Sequence, residues 1–551
     1  MITIYILDKM SADLTFGSVP PFYREIYEIL CPNQEQVDED LLVQLLLKSS
    51  LPRATITQIW DAVDNKTGSV NRNGLYKALA LTALAQNGKA IHDKLLESYA
   101  GQELPKPSLG DLADLRTSSV KLRREKNPNI LGYNYKELCD LDTIKVELVP
   151  EKKGIILKHV EYEVTSRNYK TTVLRRYNDF VAFQEMLMLR FPYRLVPRLP
   201  PKKMMGANRE FIEQRRKSLR RFLNLVARHP KMYDDKLVKF FLTFSGSDMT
   251  NKIKEVFRGI PDEFMTSNLA SKAKQIYCAA FENTNTQVDL VPMDTQQQIQ
   301  NSKEHLRMLF GGVAKMKEIT EKTVMRATGY ACDMLQFGQE LSAFSSDVST
   351  VSAWATGRNE TWHHLKKGFK HLSVEYAALG DKASQEAADM DGEVVEKLCL
   401  FQDLLLAYKD LNERHEKGVL NDHQRAIAKM GTYKKKRMSA TVNSPPEAGT
   451  VEQLEQKILE QESQIANMEN RNYFSLHCLQ METQLIHANL EILYDVLSEM
   501  ASIQAKSHST LGKVWSEIKP IIDNLQGSSS RPSSPTRLSP IGSPSGGGIP
   551  M

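Results

Sequence analysis

After about residue 249 the chain loses all strand signal and continues in helix-forming residues for more than 250 positions, a feature that limits its fold more than any other. Leu306, Leu309, Val313, Met316, Thr320, Val324, Ala327, Ala331 and Leu335 step by three or four, which sets them along one face of a helix. A second such region runs from about 351 to 432, and a third from Val451 through Leu454, Ile458, Ile465 and Met468 to about Ile521. Three long helices with short breaks predict an elongated bundle over 291–525. About 70 helical residues span on the order of 100 Å at 1.5 Å per residue. An apolar stripe of that length needs a partner, and a two-fold homodimer is the commonest closed solution.

The rest of the chain divides by changes of period. An extension over 1–19 precedes short helices over 20–100, interrupted by the turn-forming run Asp64-Asn65-Lys66-Thr67-Gly68-Ser69; this reads as a small all-α unit. Residues 101–137, with Pro105, Pro107, Gly110 and a charged run from Lys121 to Lys126, lack a sustained apolar period and read as a linker. Period two then takes over. Ile144, Val146 and Leu148, then Val160, Tyr162 and Val164, alternate with charged residues, as strands with one wet face do. A helix-period segment from Phe180 to Phe191, a proline-rich turn from Pro192 to Pro201 and a helix over about 208–228 complete an α+β domain over 138–248. Residues 249–290, with Ile253, Val256, Phe257, Ile260 and Phe264, suit either a packing helix or an amphipathic helix lying on a membrane. The Ser/Pro/Gly tail over 526–551 has too few apolar residues to offset its ordering entropy and is expected to be disordered.

Charge is local, not global. The chain carries a net +5, yet residues 175–228 hold 14 Lys and Arg against 4 Asp and Glu, so that segment is +10 and the remainder −5. The cations fall into three clusters: Arg175-Arg176, Lys202-Lys203 after the proline turn, and Arg215-Arg216-Lys217 with Arg220-Arg221 on a helix. Their concentration in one small domain points to a phosphorylated ligand. Basic charge without interleaved aromatic residues argues against nucleic acid. The six cysteines stand singly, without C-x-x-C pairs, so neither a metal site nor a disulfide framework is expected and a reducing compartment fits. The N-terminus has no basic, apolar leader, and nowhere do about 18 uncharged apolar residues run together.

Three ordered motifs, Arg175-Arg176-Tyr177-Asn178-Asp179-Phe180, Val196-Pro197-Arg198-Leu199-Pro200-Pro201-Lys202, and Phe211-Ile212-Glu213-Gln214-Arg215 through Phe222 to His229-Pro230, closely resemble the phox-homology (PX) domains of sorting nexins. The resemblance implies a three-stranded antiparallel sheet with helices and a site for phosphatidylinositol 3-phosphate. It implies that Arg176 pairs with the 3-phosphate, Tyr177 packs under the inositol ring, Lys202 meets the 1-phosphate and Arg215 contacts ring hydroxyls. Arg175 and Lys203 are the alternative cations. Met204 and Met205, an apolar pair in a basic loop, are expected to enter the bilayer interface.

A PX domain followed by three long helices resembles the membrane-remodelling sorting nexins, whose helical BAR domain dimerises into a curved, basic-faced rod. On that basis Lys434, Lys435, Lys436 and Arg437 are expected in a loop near the rod's tip as membrane contacts. Leu47-Lys48-Ser49-Ser50-Leu51-Pro52, Gln58-Ile59-Trp60-Asp61 and the run from Ala78 to Gly88 resemble an EH domain, a family that binds Asn-Pro-Phe peptides in a pocket with a tryptophan matching Trp60. A core tryptophan is the equal alternative. Calcium is not expected in its loop, because Lys66 stands two places after Asp64 and Gly74 stands where the bidentate acid should be.

Enzyme motifs fail on single residues. The H-x-K-x-x-x-x-D pattern of phospholipases is broken where His92 and Lys94 meet Tyr99 and where His364 and Lys366 meet His371. His415-Glu416 begins a zinc-protease pattern that Val419 ends. The resemblance to sorting nexins implies a cofactor-free peripheral protein on the cytosolic face of early endosomes that senses or generates curvature in endosome-to-Golgi cargo sorting; the alternative is a phosphoinositide-recruited scaffold or tether that does not remodel membrane.

Overall fold

The computed structural model describes residues 18–31, 36–63, 69–99, 101–127, 129–149, 160–202, 208–267, 294–346, 360–442 and 448–527. They belong to two compact units, one from Met1–Gly312 with Leu400–Ile492, the other from Val313–Cys399 with Leu493–Met551.

In the first unit α1 (Pro21–Leu30), α2 (Glu39–Leu47), α3 (Arg53–Val63) and α4 (Arg72–Gln86) bury Tyr23, Leu42, Leu45, Ile59, Leu75 and Leu79 together. Two short strands, β1 (Gln36–Asp38) and β2 (Ser69–Asn71), pair antiparallel with Val37 opposite Val70. Asp38 and Asn71 cap the helices that follow, accepting from Asp40 N at 3.0 Å and Gly74 N at 2.8 Å. A Cβ at Gly74 would come within 2.5 Å of Val70, so the position that a calcium loop gives to its final acid is closed by packing. The loop itself, 64–68, lies outside the described residues.

Residues 101–137 are not a linker. After a short α5 (Asp93–Glu97) they form α6 (Ala113–Lys126), and the chain enters α7 (Tyr135–Leu141). Leu104, Leu109 and Leu115 are buried in the N-terminal core, and Arg123 reaches Glu137 at 2.7 Å and Gly132 O at 2.7 Å. A segment docking onto an existing core needs only scattered apolar anchors, which explains why period analysis failed there.

Strands β3 (Ile144–Leu148), β4 (Glu161–Ser166) and β5 (Thr171–Arg176) form an antiparallel meander with Val146, Val164 and Val173 in register. Helices α8 (Tyr177–Arg190), α9 (Arg209–Ala227) and α10 (Lys236–Thr243) complete its core. Phe183 stacks on Phe241 with centroids 4.1 Å apart, and Phe180 meets Tyr162 edge to face. Helix α11 (Met249–Val256) buries Met249 and Ile253 in that same core, joined by Phe257, while Phe264 of α12 (Glu263–Thr266) packs against Tyr193 and Phe474. Of the two readings of the connecting segment, residues 249–266 therefore take the packing one; 268–293 lie outside the described residues.

Long helices supply the rest: α13 (Thr295–Ser346), then α14 (Glu360–Asp389), which continues through the π-helical Met390–Val395 into α15 (Glu396–Arg414), and through the π-helical His415–Leu420 into α16 (Asn421–Val442). The third expected helix is two, α17 (Ala448–Ala488) and α18 (Glu491–Gly527). The Asn489 amide donates to Leu485 O at 2.7 Å and ends the first of them.

Within the first unit the α+β domain is fastened to these helices by buried charge. Arg194 lies between Glu263 at 2.7 Å and Glu482 at 3.1 Å, and His229 Nε2 sits 3.0 Å from the same Glu482. Arg221 reaches Asp403 at 2.7 Å, and Gln484 exchanges hydrogen bonds with Leu131 N and Asn129 O at 2.6 and 2.8 Å.

The second unit is helical among the described residues, with Leu341, Leu372, Leu379, Val514 and Ile518 at its core. Close helix approach depends on Gly338, where a Cβ would lie 2.9 Å from Ser373 O and 3.3 Å from Ala377 N. Backbone atoms cannot swing aside. Gly338→Val is expected to destabilise this unit by about 1–3 kcal/mol, read as a lowered unfolding midpoint; an unchanged or raised midpoint would show that the helices separate freely there.

Candidate functional site

Strand alternation divides the two arginines at the end of β5. Arg175 points inward, 1% exposed, and donates to Phe241 O at 3.1 and 2.5 Å and to Phe244 O at 2.6 Å. Burial lowers its pKa to about 10. Its expected alternative role as a phosphate ligand is corrected: it clamps the end of α10 to the sheet, with no donor left facing solvent.

Arg176 points outward. Its backbone N–H donates to Asp179 Oδ2 at 2.7 Å, and Asp179 Oδ1 accepts from Thr250 Oγ1 at 2.6 Å, so α11 fixes the start of α8. The guanidinium donates from Nε and Nη2 to Glu161 Oε1 at 3.0 and 2.8 Å. Tyr177 follows, and its hydroxyl donates to Pro200 O. Burial raises the pKa of that phenol, partly offset by the Arg215 charge.

Arg215, on α9, stacks its guanidinium 4.5 Å over the rings of both Tyr177 and Phe211 and donates to Pro201 O at 3.3 Å. The proline-rich turn is thereby pinned beside Tyr177. Gln184 donates to Pro197 O at 2.6 Å, and Arg198 makes two 2.6 Å bonds to the Asp410 carboxylate. Lys202, the residue that follows Pro201, is exposed. Burial raises the pKa of the Tyr162 phenol, and the charge and hydrogen bond of Arg215 partly offset that rise, so these two buried groups face each other. Tyr177 and Arg215 thus meet at Pro200 and Pro201, and the exposed Arg176 and Lys202 are their neighbours along the chain, which sets two exposed cations beside a stacked aromatic floor. Chemically this arrangement suits a phosphorylated, hydroxyl-bearing ring.

Other members of the basic cluster do different work. Arg216 is held by Glu213 and by Val146 O at 2.8 Å, and Arg221 by Asp403. Lys203, Met204 and Met205 lie outside the described residues. The run from Lys434 to Arg437 is in helix α16 and not in a loop: Lys434 pairs with Glu462 at 3.2 Å and Arg437 with Glu455 at 3.8 Å, while Lys435 and Lys436 are exposed. Acids on α17 let that helix run on past the cations. Trp60 is half-buried against the N-terminal core. Sequence reasoning missed Glu161, Thr250 and Asp410, since only strand register and tertiary docking bring them to this site.

Comparison with known proteins matches three family descriptions in order: EH domain over residues 21–107, PX domain over 163–245 and Sorting nexin 8/Mvp1 BAR domain over 278–527. Sorting nexin-8 of Homo sapiens is 50% identical over 400 residues, covering 72% of this chain and 83% of the relative. The chain belongs to the sorting nexin family. Sorting nexin MVP1 of Saccharomyces cerevisiae is 25% identical over 394 residues, covering 69% of this sorting nexin and 73% of the relative. The solved structure described as the cryo-EM structure of the SNX-BAR Mvp1 tetramer shares the fold, with a TM-score of 0.53 at 21% identity over 68% of this chain and 99% of that one.

Membership carries the coarse function. A sorting nexin with PX and BAR domains is a peripheral membrane-trafficking adaptor and not an enzyme; the first domain implies phosphoinositide binding and the second dimerisation. No helix among the described residues is long and apolar enough to cross a membrane. The PX match ends at residue 245, yet Thr250 buttresses the site from beyond it.

Proposed function

We propose that this sorting nexin recognises phosphatidylinositol 3-phosphate on the cytosolic face of early endosomes, forms a homodimer, and senses or generates membrane curvature during endosome-to-Golgi cargo sorting. The observation that supports the reading is the meeting of Tyr177 and Arg215 on the proline-rich turn, with Arg176 and Lys202 next to them in the chain. Arg176 would meet the 3-phosphate, Lys202 the 1-phosphate, and Arg215 the ring hydroxyls above the Tyr177 face. Lys203, Met204 and Met205 are proposed as bilayer contacts on their chemistry alone, and Lys435 and Lys436 add exposed charge, each worth about 1 kcal/mol near an anionic surface. Exposed apolar side chains on the second unit, among them Met325, Phe337, Phe344, Tyr494 and Leu497, support a second copy as partner. The EH domain would gather Asn-Pro-Phe-type peptides through Trp60.

Purified protein on liposomes with and without phosphatidylinositol 3-phosphate, followed by sedimentation and electron microscopy, tests this. Selective binding with tubulation is expected, and neutralising Lys435 and Lys436 should reduce tubulation more than headgroup selectivity. Selective binding to round, undeformed liposomes would replace remodelling with a scaffold or tether, and lipid-independent behaviour would remove the reading.

A further inference from the structure

We propose that Glu161 sets the lipid selectivity of the Arg176 site, an inference that rests on the phosphoinositide reading above. Glu161 stands directly opposite Arg176 in the β4–β5 ladder. Its single oxygen Oε1 accepts both Nε and Nη2 of the guanidinium, at 3.0 and 2.8 Å. A guanidinium has two usable edges. The pair occupies the Nε edge and leaves Nη1 without a hydrogen bond among the described residues, so the outer edge can still meet two oxygens of a phosphomonoester.

The residue is held at both ends. Asp179, itself held by Thr250, fixes the Arg176 backbone, and Glu161 fixes the tip. Charge is the second consequence. Seen from a distance, the Arg176–Glu161 pair is neutral, and on the same wet sheet face the exposed Glu147 and Glu163, opposite each other, outnumber the exposed Lys145. A generic anionic surface is therefore attracted weakly by this part of the domain. A phosphomonoester docked in the site is recognised by aligned N–H groups at short range, where geometry counts more than net charge. Arg176 is thus screened against phosphodiester lipids and open to a 3-phosphate.

The test uses the full chain with Glu161→Ala, Glu161→Gln and Arg176→Ala. Each is sedimented with vesicles containing phosphatidylinositol 3-phosphate and with phosphatidylserine vesicles matched in surface charge. An unneutralised basic side chain near an anionic surface strengthens binding about fivefold. Glu161→Ala should therefore raise phosphatidylserine binding by about that factor and lower the selectivity ratio severalfold, with an unchanged thermal midpoint because the pair is exposed. Glu161→Gln removes the charge but keeps an acceptor oxygen, so it should gain phosphatidylserine binding yet keep more of the 3-phosphate preference. If Arg176→Ala loses selectivity while Glu161→Ala keeps or raises it, the role of Glu161 is overturned and the lipid site stands. If Arg176→Ala keeps selectivity, the site itself is misplaced and Glu161 falls with it.

Discussion

Replacing Arg176 with alanine is expected to cut binding to phosphatidylinositol 3-phosphate vesicles by at least about tenfold, since a charge-assisted hydrogen bond is worth roughly 1.5–3 kcal/mol. The fold should not notice. The side chain is 58% exposed and its ion pair among the described residues, to the third-exposed Glu161, is of the surface kind that contributes about 0–1 kcal/mol. Sedimentation against vesicles with and without the lipid measures the loss, and a thermal melt verifies the fold. The neighbouring Arg175→Ala supplies the contrast. It removes a fully buried guanidinium from the carbonyls of Phe241 and Phe244, so its melt should drop and lipid binding should fall only as the fold does. Equal behaviour of the two variants would contradict the inward and outward assignment of adjacent residues.

The largest loss of stability is expected at a residue far from the lipid site. Glu482 is 1% exposed and is the shared acceptor for Arg194 and His229, both 2% exposed. Removing Glu482 leaves the buried His229 Nε2 without its acceptor and Arg194 with Glu263 alone, and an unsatisfied buried polar group costs about 1–3 kcal/mol. Glu482→Ala should therefore lower the first unfolding transition of the intact chain by several degrees, and Glu482→Gln, which keeps one acceptor oxygen, by less. A change within about a degree for both would mean that the cluster is not what fastens the PX domain to α17.

Acid should weaken the same region. Burial pushes the Glu482 carboxyl up, but His229 and Arg194 outweigh it and hold it below the usual carboxylate value. Its contribution is present above the unfolded pKa and is lost as pH falls through the folded one. His415 acts earlier. Burial lowers its pKa from 6.5 to about 4, so between those values the unfolded chain binds the extra proton and stability falls as pH falls.

Much of the candidate site was legible because its motifs are local. Arg175 to Phe180 is a continuous strand-to-helix passage, and period two alone says that two consecutive arginines face opposite ways; only the sheet decides which of them is inside. The proline-rich turn could be read as a turn, but its closure onto Tyr177 and Arg215 needed α9 to lie beside it. The failures have a common cause. Residues 101–137 looked like a linker because their anchors, Leu104, Leu109 and Leu115, fit a core built by other residues. The cations from Lys434 to Arg437 looked like a loop because their counter-charges, Glu455 and Glu462, come from the next helix.

The amino-acid order by itself determined where helix gives way to strand, that one segment of 54 residues carries the cationic surplus, and that the long helices expose an apolar stripe. Periodicity and local charge are properties of neighbours along the chain, and a sequence displays them directly. Only the tertiary structure decided that Glu161 shares Arg176, that Asp410 holds the turn bearing Lys202, and that Glu482 joins Arg194 to His229. Those partners are separated by 15, 212, 288 and 253 positions. A carboxylate's pairing is set by distance in space and by the water it loses on burial, and neither is written in the order of residues.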